Sequence, residues 1–387
     1  MAVPKHPRVA ICQPRIIPGG RLRVILGLVE VLNEAGIAPD IVTAGRAFSA
    51  EELRDRYGKD LDLQFRIVRP PPVRQQGGEV EIALFNLMLR RWAKSYDLLI
   101  NTSNSLLFLP PRQRVWTYLF YPRKARLMAD VRDIHLPESY FLPWSAFGLK
   151  RRALRLLYRY SRVRPEHRIV CMTHFTRDAL EREYAVKSEL PIVYPPVDMG
   201  RLREPADQPR RSGVVTLGRF APDKRQLEQI HIAQQVPDVP FHLAGFAAGS
   251  SYYDACHRYV QQHDLRNVHL YPDAPFDTII GLLQSSTCFL HTLVNEPFGI
   301  TAVQAMAAGC LPVVHDSGGQ RETVFLPELR YQSLEEVPAL IQRLHAMDTT
   351  ARTGLSEKLL EHIKQFDEAT FHQCIRELLM PYLRGES

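Results

Sequence analysis

The sequence predicts an α/β protein built from two Rossmann-like, doubly wound domains. Short apolar runs alternate with helix-like segments through both halves of the chain, the pattern of a parallel sheet covered on both faces. At 387 residues the chain is too long for one small core, and two domains of nearly two hundred residues are expected. Near the middle, Tyr194-Pro195-Pro196-Val197-Asp198 enforces an extended exit, and the Arg-, Pro- and Asp-rich run Arg201 to Ser212 reads as an interdomain linker. The expected boundaries are 1–198, a linker at 199–212, 213–368, and a last helical segment at 369–387.

In the first half, Arg8 to Gln13 reads as a strand and Leu22 to Ala35 as an amphipathic helix, with the glycine pair Gly19-Gly20 between them. Paired glycines let backbone amides approach a phosphate at a helix N-terminus; taken alone, a plain tight turn is the preferred reading. Arg21 and Arg23 add positive charge there. Strands are expected at Ile41 to Ala44, Leu63 to Val68, Asp97 to Asn101, Val115 to Phe120 and Arg168 to Met172. Thr173 reads as the N-cap of a helix over His174 to Tyr184.

In the second half, Val214 to Leu217 is a strand ending in Gly218-Arg219, with Lys224 five residues further on and a helix expected from there. Strands follow at Phe241 to Ala244, Val268 to Tyr271 and Thr287 to His291, with helices at Tyr252 to His263 and Phe276 to Leu283. The richest stretch is Asn295 to Gly319, NEPFGITAVQAMAAGCLPVVHDSGG. It reads as a loop, a helix from Ile300 to Ala308 closed by Gly309, a doubly buried strand from Leu311 to Val314, and a glycine turn. The amides near Phe298, Gly299 and Ile300 then stand at a helix N-terminus, which favours an anion and above all a phosphate. Glu296 precedes that loop and Gln304 lies on its helix. An ordinary loop with a capping carboxylate fits the same letters. Helices over Pro338 to Met347, with its proline first, and Glu357 to Phe366 close the domain. Ligands of such sheets bind beyond the carboxyl ends of the strands. Gly218, the turn after Tyr271 (a candidate nucleobase contact), the Glu296 loop and Gly318-Gly319 all fall there.

Composition sets the limits. Hydrophobic residues at 45% and charged residues at 24% describe a globular protein, and no apolar run approaches the roughly eighteen residues of a membrane span. The start, MAVPKHPRVAICQP, lacks a secretory apolar region. Six cysteines without a CxxC pair suit reduced core thiols and a cytoplasmic location. The net charge of +7 favours an anionic partner, with nucleotide, anionic lipid surface and nucleic acid all compatible. Phe141 to Arg164 combines aromatic residues with a basic amphipathic helix. It suits either an anionic membrane surface or a packed helix with a solvated basic face. No nucleic-acid motif appears.

E-P-F-G, A-M-A-A-G and S-G-G, together with G-R-x-x-x-x-K and YPPVD, resemble the retaining glycosyltransferase family 4. The wording is nearest to mannosyltransferases of lipid-linked oligosaccharide assembly. The resemblance implies the GT-B fold, two facing Rossmann-like domains with the site in their cleft. It implies a sugar-nucleotide donor (GDP-mannose preferred), a glycan or lipid-linked acceptor, and neither cofactor nor metal. Arg219 and Lys224 would stabilise the leaving diphosphate, Glu296 would orient the sugar, and Gln304 the ribose. Gly19, Gly20, Gly218, Phe298, Gly299 and Ile300 would surround the donor phosphates. The last helix would cross back to the first domain. Two departures stand out. Gln304 occupies the place of the family's second Glu, forgoing a charge-assisted bond. Phe120 stands where related mannosyltransferases carry a His. The alternative is a degenerate nucleotide-sugar-binding or scaffold protein. The Asp60-x-Asp62 pair matches the metal-holding motif of the other large glycosyltransferase fold, but nothing nearby adds ligands, and a solvated turn is the preferred reading. No spacing links His135 or His174 to the site.

Overall fold

The structure, a computed structural model, describes residues 7–16, 19–45, 48–49, 51–53, 61–67, 79–106, 109–110, 112–128, 146–159, 163–164, 167–186, 189–203 and 212–385. These form two compact units. The first runs up to Pro196 and also takes the C-terminal helix from Glu368; the second is Val197–Asp367.

The first unit comprises β1 (Val9–Cys12), α1 (Gly20–Glu34), β2 (Asp40–Thr43), β3 (Gln64–Ile67), α2 (Glu79–Ala93), β4 (Leu98–Asn101), β5 (Val115–Leu119), α3 (Arg123–Met128), α4 (Ala146–Arg159), β6 (His167–Cys171) and α5 (His174–Tyr184). Its sheet is parallel throughout, in the order β3-β2-β1-β4-β5-β6. Strands β1, β4 and β5 are buried along their whole length, which is why they read as continuous apolar runs instead of alternating ones. Thr173 caps α5 as expected, its hydroxyl accepting from the Thr176 amide at 3.1 Å.

The second unit comprises β7 (Val214–Leu217), α6 (Gln226–Gln235), β8 (Phe241–Gly245), α7 (Ser251–Gln262), β9 (Val268–Pro272), α8 (Phe276–Ser285), β10 (Cys288–His291), α9 (Ile300–Ala307), β11 (Leu311–His315), α10 (Gln320–Thr323), β12 (Arg330–Tyr331), α11 (Val337–Ala346) and α12 (Thr349–Ile363). Its parallel sheet runs β12-β11-β10-β7-β8-β9. Counted within the unit, that is the same order as in the first. In both, the direction of progression reverses between the first and fourth strands, and the crevice at such a reversal is where open α/β sheets take ligands.

Several expected boundaries move. Pro222–Lys224 forms a 3-10 turn and Arg225 turns left-handed (φ 57°), so α6 begins at Gln226 and not at Lys224. In α11 Pro338 is second, because a 3-10 turn over Leu334–Glu336 leads in through Val337. The helix expected from Glu357 starts eight residues earlier, at Thr349, where the Asp348 carboxylate accepts from the Ala351 amide at 2.9 Å. β12 was not anticipated; two residues are too short for a periodicity.

The C-terminal helix α13 (Glu368–Arg384) packs in the first unit against α1. Phe371 is buried and stands edge-on to Tyr118, with ring centroids 6.0 Å apart. Arg376 pairs with Glu34 at 2.9 Å and His372 with Glu30 at 3.2 Å. No described helix is long and apolar enough to cross a membrane. Cys12, Cys171, Cys256, Cys288 and Cys310 are buried free thiols, while Cys374 is half-buried.

Candidate active site

The site in the second unit is built where β7 and β10 end. After β7, Gly218 donates its amide to Ala244 O at 3.1 Å, and the chain turns through Arg219 to Lys224. After β10, Thr292 holds that turn. Its hydroxyl donates to Lys224 O at 3.2 Å and accepts from Gln229 Nε2 at 2.8 Å. Arg225 Nη1 reaches Thr292 O at 3.4 Å. Lys224 is thereby carried to the loop that begins at Asn295, where its Nζ lies 3.2 Å from Glu296 Oε2. Both side chains are mostly shielded, 25% and 18% exposed, so the pair is far less screened than a surface ion pair.

The Glu296 loop is fixed by the glycine turn that follows β11. Gly319 donates its amide to Glu296 O at 2.9 Å. A Cβ on Gly319 would sit 1.8 Å from Pro297 O, and one on Gly318 would sit 2.6 Å from Glu296 O. That close approach leaves no room for a side chain at either glycine of the S-G-G turn. Gly299, at φ 92°, turns the chain into α9 and its carbonyl accepts from the Ala302 and Val303 amides at 2.9 and 3.3 Å, which sets Ile300 at the helix N-terminus. Phe298 is buried against Phe366, edge to face at 5.2 Å, which anchors the loop to the unit's core. At the other end of α9, Gly309 and Cys310 donate to Met306 O and Ala305 O, closing the helix with the expected C′ glycine.

Sequence reasoning missed His291, the last residue of β10. It is buried, and its Nε2 lies 3.7 Å from the same Oε2 that Lys224 engages. Burial pushes the imidazole down to about 4; the Glu296 carboxylate works against that shift and Lys224 with it. The ring is therefore neutral at pH 7. Gln320 Nε2 stands 3.1 Å from His291 Nδ1. A histidine closing the strand that delivers the glutamate loop was the available signal, since that strand end is the ligand end of the sheet.

The other predicted residues fall as follows. Arg219 is 60% exposed and reaches Asp223 Oδ2 at 3.4 Å. Gln304 is half-buried on α9, and the turn after Tyr271 is tied in by Asp273, whose carboxylate accepts from the Ala247 amide at 3.1 Å. Gly19 is the N-cap of α1 and Gly20 its first residue, both in the first unit. Phe120 is buried beyond β5, with the Arg21 guanidinium 4.9 Å over its ring and its carbonyl accepting from Thr176 Oγ1 at 2.8 Å. His174 is exposed. Asp62 donates its amide to Asn33 Oδ1 at 2.9 Å. Asp60, His135, Phe141, Leu142, Trp144, Tyr160 and Arg162 lie outside the described residues, as do residues 204–211 of the expected linker. Among the described residues, no three His, Cys, Asp or Glu side chains gather into a metal-holding group.

Two parallel six-stranded sheets of this order give the chain the fold of GT-B glycosyltransferases. A glycosyltransferase from Rickettsia africae superposes over 99% of this chain and 100% of its own, with a TM-score of 0.69 at 13% identity. Anabaena HepE, solved in complex with UDP-glucose, covers 97% of this chain and 100% of its own, with a TM-score of 0.67 at 18% identity.

Residues 203–326 match the family described as glycosyl transferases group 1. The chain carries a glycosyltransferase group 1 domain, and the Lys224–Glu296 pair lies inside it. Curated relatives include the GDP-Man:Man(3)GlcNAc(2)-PP-Dol alpha-1,2-mannosyltransferase of Yarrowia lipolytica. It is 32% identical over 164 residues, 37% of this chain and 26% of the relative. The Homo sapiens protein of the same name is 24% identical over 203 residues, 46% of this chain and 41% of the relative. The chain thus spans less than half the length of these relatives.

Proposed function

We propose that this protein is a retaining, metal-independent glycosyltransferase moving mannose from GDP-mannose to a lipid-linked glycan. The observation that carries this reading is the shielded Lys224–Glu296 pair at 3.2 Å, set before the N-terminus of α9 inside the group 1 domain. The curated relatives named for GDP-mannose and a dolichol-linked glycan support the choice of donor and acceptor.

In the proposed reaction the acceptor oxygen bonds to the sugar's anomeric carbon as the bond from that carbon to the β-phosphate oxygen breaks. The acceptor proton passes to the departing phosphate, and both events take place on one face of the sugar. Charge grows on the nucleoside diphosphate. Lys224, Arg219 and the amides at Phe298, Gly299 and Ile300 meet it, so preorganised cations and dipoles replace water. Gly218, Gly19 and Gly20 allow close backbone approach to the phosphates. Glu296 orients the sugar, and Gln304 bonds the ribose hydroxyls.

Release of nucleoside diphosphate across a panel of sugar nucleotides tests this reading. GDP-mannose should be turned over by the wild type and at a strongly reduced rate by Glu296→Ala and Lys224→Ala. The degenerate binding protein, favoured by Gln304 and by the buried Phe120, predicts tight binding with no turnover even when a lipid-linked acceptor is supplied.

Placement at a cytoplasmic membrane face rests on α4, where Arg152, Leu156, Leu157 and Arg159 are exposed together. Cosedimentation with anionic vesicles at low salt, lost at high salt, is the expected result.

A further inference from the structure

His291 is a buried titratable group beside the Lys224–Glu296 pair that the proposed chemistry leaves without a task. Three elements converge on it. β10 supplies the ring, α10 supplies Gln320, and the loop before α9 supplies Glu296. The backbone there is pinned as well, with the Tyr331 hydroxyl donating to His291 O at 3.1 Å. The charged groups facing the ring are Glu296, directly, and Lys224 behind it.

The proton's position follows from the neighbours. With Gln320 Nε2 donating, Nδ1 is the acceptor, and the proton of the neutral ring sits on Nε2, facing Glu296. Turning the Gln320 amide would move the proton to Nδ1 and aim the bare Nε2 lone pair at a carboxylate, a repulsive contact. In the favoured orientation Gln320 Oε1 is buried without a partner.

We propose that His291 is a positioning residue for Glu296, its Nε2–H aimed by Gln320 so that the carboxylate is held against Lys224. The inference rests on the transferase reading for its catalytic consequence and on the local geometry alone for the tautomer. At 3.7 Å the ring acts as an oriented dipole and a wall, and such contacts tighten when substrate closes a site. A neutral ring suits the task. An imidazolium would compete with Lys224 for the carboxylate and alter the charge presented to the donor.

The test uses the full chain with 15N-labelled histidine, the His291 signal being assigned by its loss in His291→Phe. The expected wild-type signal is a neutral ring protonated on Nε2 from pH 8 down to pH 5. Gln320→Glu, which sets a carboxylate on Nδ1, should give an imidazolium near neutral pH. In GDP-mannose turnover, His291→Phe should lower kcat about tenfold with KM changed less than about twofold. His291→Gln, which keeps an N–H donor, should restore most of the loss; if His291→Phe melts early, the Gln variant still reads the role. A wild-type ring protonated on Nδ1, or a folded His291→Phe enzyme with wild-type kcat, overturns the proposal. A wild type inert toward every sugar nucleotide overturns the transferase reading and the catalytic consequence with it, while the tautomer still stands or falls on the NMR signal.

Discussion

The two units share one strand order but gather different chemistry at the ends of corresponding strands. At and beyond the ends of β1 and β4 in the first unit stand Gln13, Asn101, Thr102, Ser103 and Ser105, all buried and all neutral. They bond to one another: Thr102 Oγ1 to Gln13 Oε1 at 3.1 Å, and Ser103 Oγ to Asn101 Oδ1 at 2.7 Å. Ser105 Oγ meets Tyr158 at 2.8 Å. At and beyond the ends of β7 and β10 in the second unit stand Lys224, His291 and Glu296, where opposite charges share a mostly shielded space. The same backbone crevice is closed off by neutral bonds in one unit and loaded with charge in the other. The scaffold is held in common, so under the proposed function the residues at the strand ends are what set the two units apart.

The largest effect should come from removing the charge. Lys224→Ala or Glu296→Ala is expected to lower donor turnover by roughly a hundred- to a thousandfold, the loss typical of a preorganised charge-stabilising group. The measurement is the initial rate of nucleoside diphosphate release. Each substitution also strands its partner's charge in a shielded place, so the double variant should fall less than the two single losses multiplied.

The next contrast is with pH. His291 titrates at about 4 in the folded protein, against an ordinary value of 6.5. Between those values the unfolded chain binds the proton and the native state does not, so stability rises with pH across that window and falls on acidification. The full difference is on the order of 3 kcal/mol, lost progressively as pH drops from about 6.5 to about 4. The wild-type urea midpoint should therefore fall relative to that of His291→Phe, which has no ring to titrate there, as the pH drops through this range. Parallel curves would mean that the ring is not buried neutral.

The glycine turns sharpen the comparison further. Gly319→Ala would drive a methyl against Pro297 O and should cost about 2–3 kcal/mol while displacing Glu296, so turnover and stability fall together. At Gly19 nothing lies within 4 Å of a new Cβ, and the strain comes only from the backbone at φ 137° and ψ −167°, so Gly19→Ala should cost about 1 kcal/mol, the low end for such a conformation. Equal melting shifts for the two variants would undo this distinction.

Much of the second unit was legible because short-range chemistry and long-range packing agree there. E-P-F-G, A-M-A-A-G and S-G-G are local signals, and the structure shows that the last is read against the first, backbone to backbone. Gly218-Arg219 and Lys224 were legible as a strand-end turn. The residues that fix that turn were not, because Thr292 and Gln229 act through contacts 68 and 63 positions apart in pairs that no local pattern reveals. His291 was hidden for a similar reason. As the last residue of an apolar strand it looks like core, and its relation to Gln320 appears only once β10 and β11 lie side by side. The neutral network of the first unit was invisible too, since Asn, Thr and Ser after a strand read as an ordinary turn.

That network provides the smallest and most discriminating test. Thr102→Val keeps the shape and removes the hydroxyl that donates to Gln13 Oε1, leaving a buried amide oxygen short of a partner. The expected cost is about 1 kcal/mol in the denaturant midpoint, with donor turnover unchanged within about twofold. A stability loss without a kinetic one is what a closed neutral network predicts. A kinetic loss comparable to that of Lys224→Ala would instead mean that the first unit's crevice takes part in the reaction through its polar groups. The contrast between the units would then be one of charge and not of role.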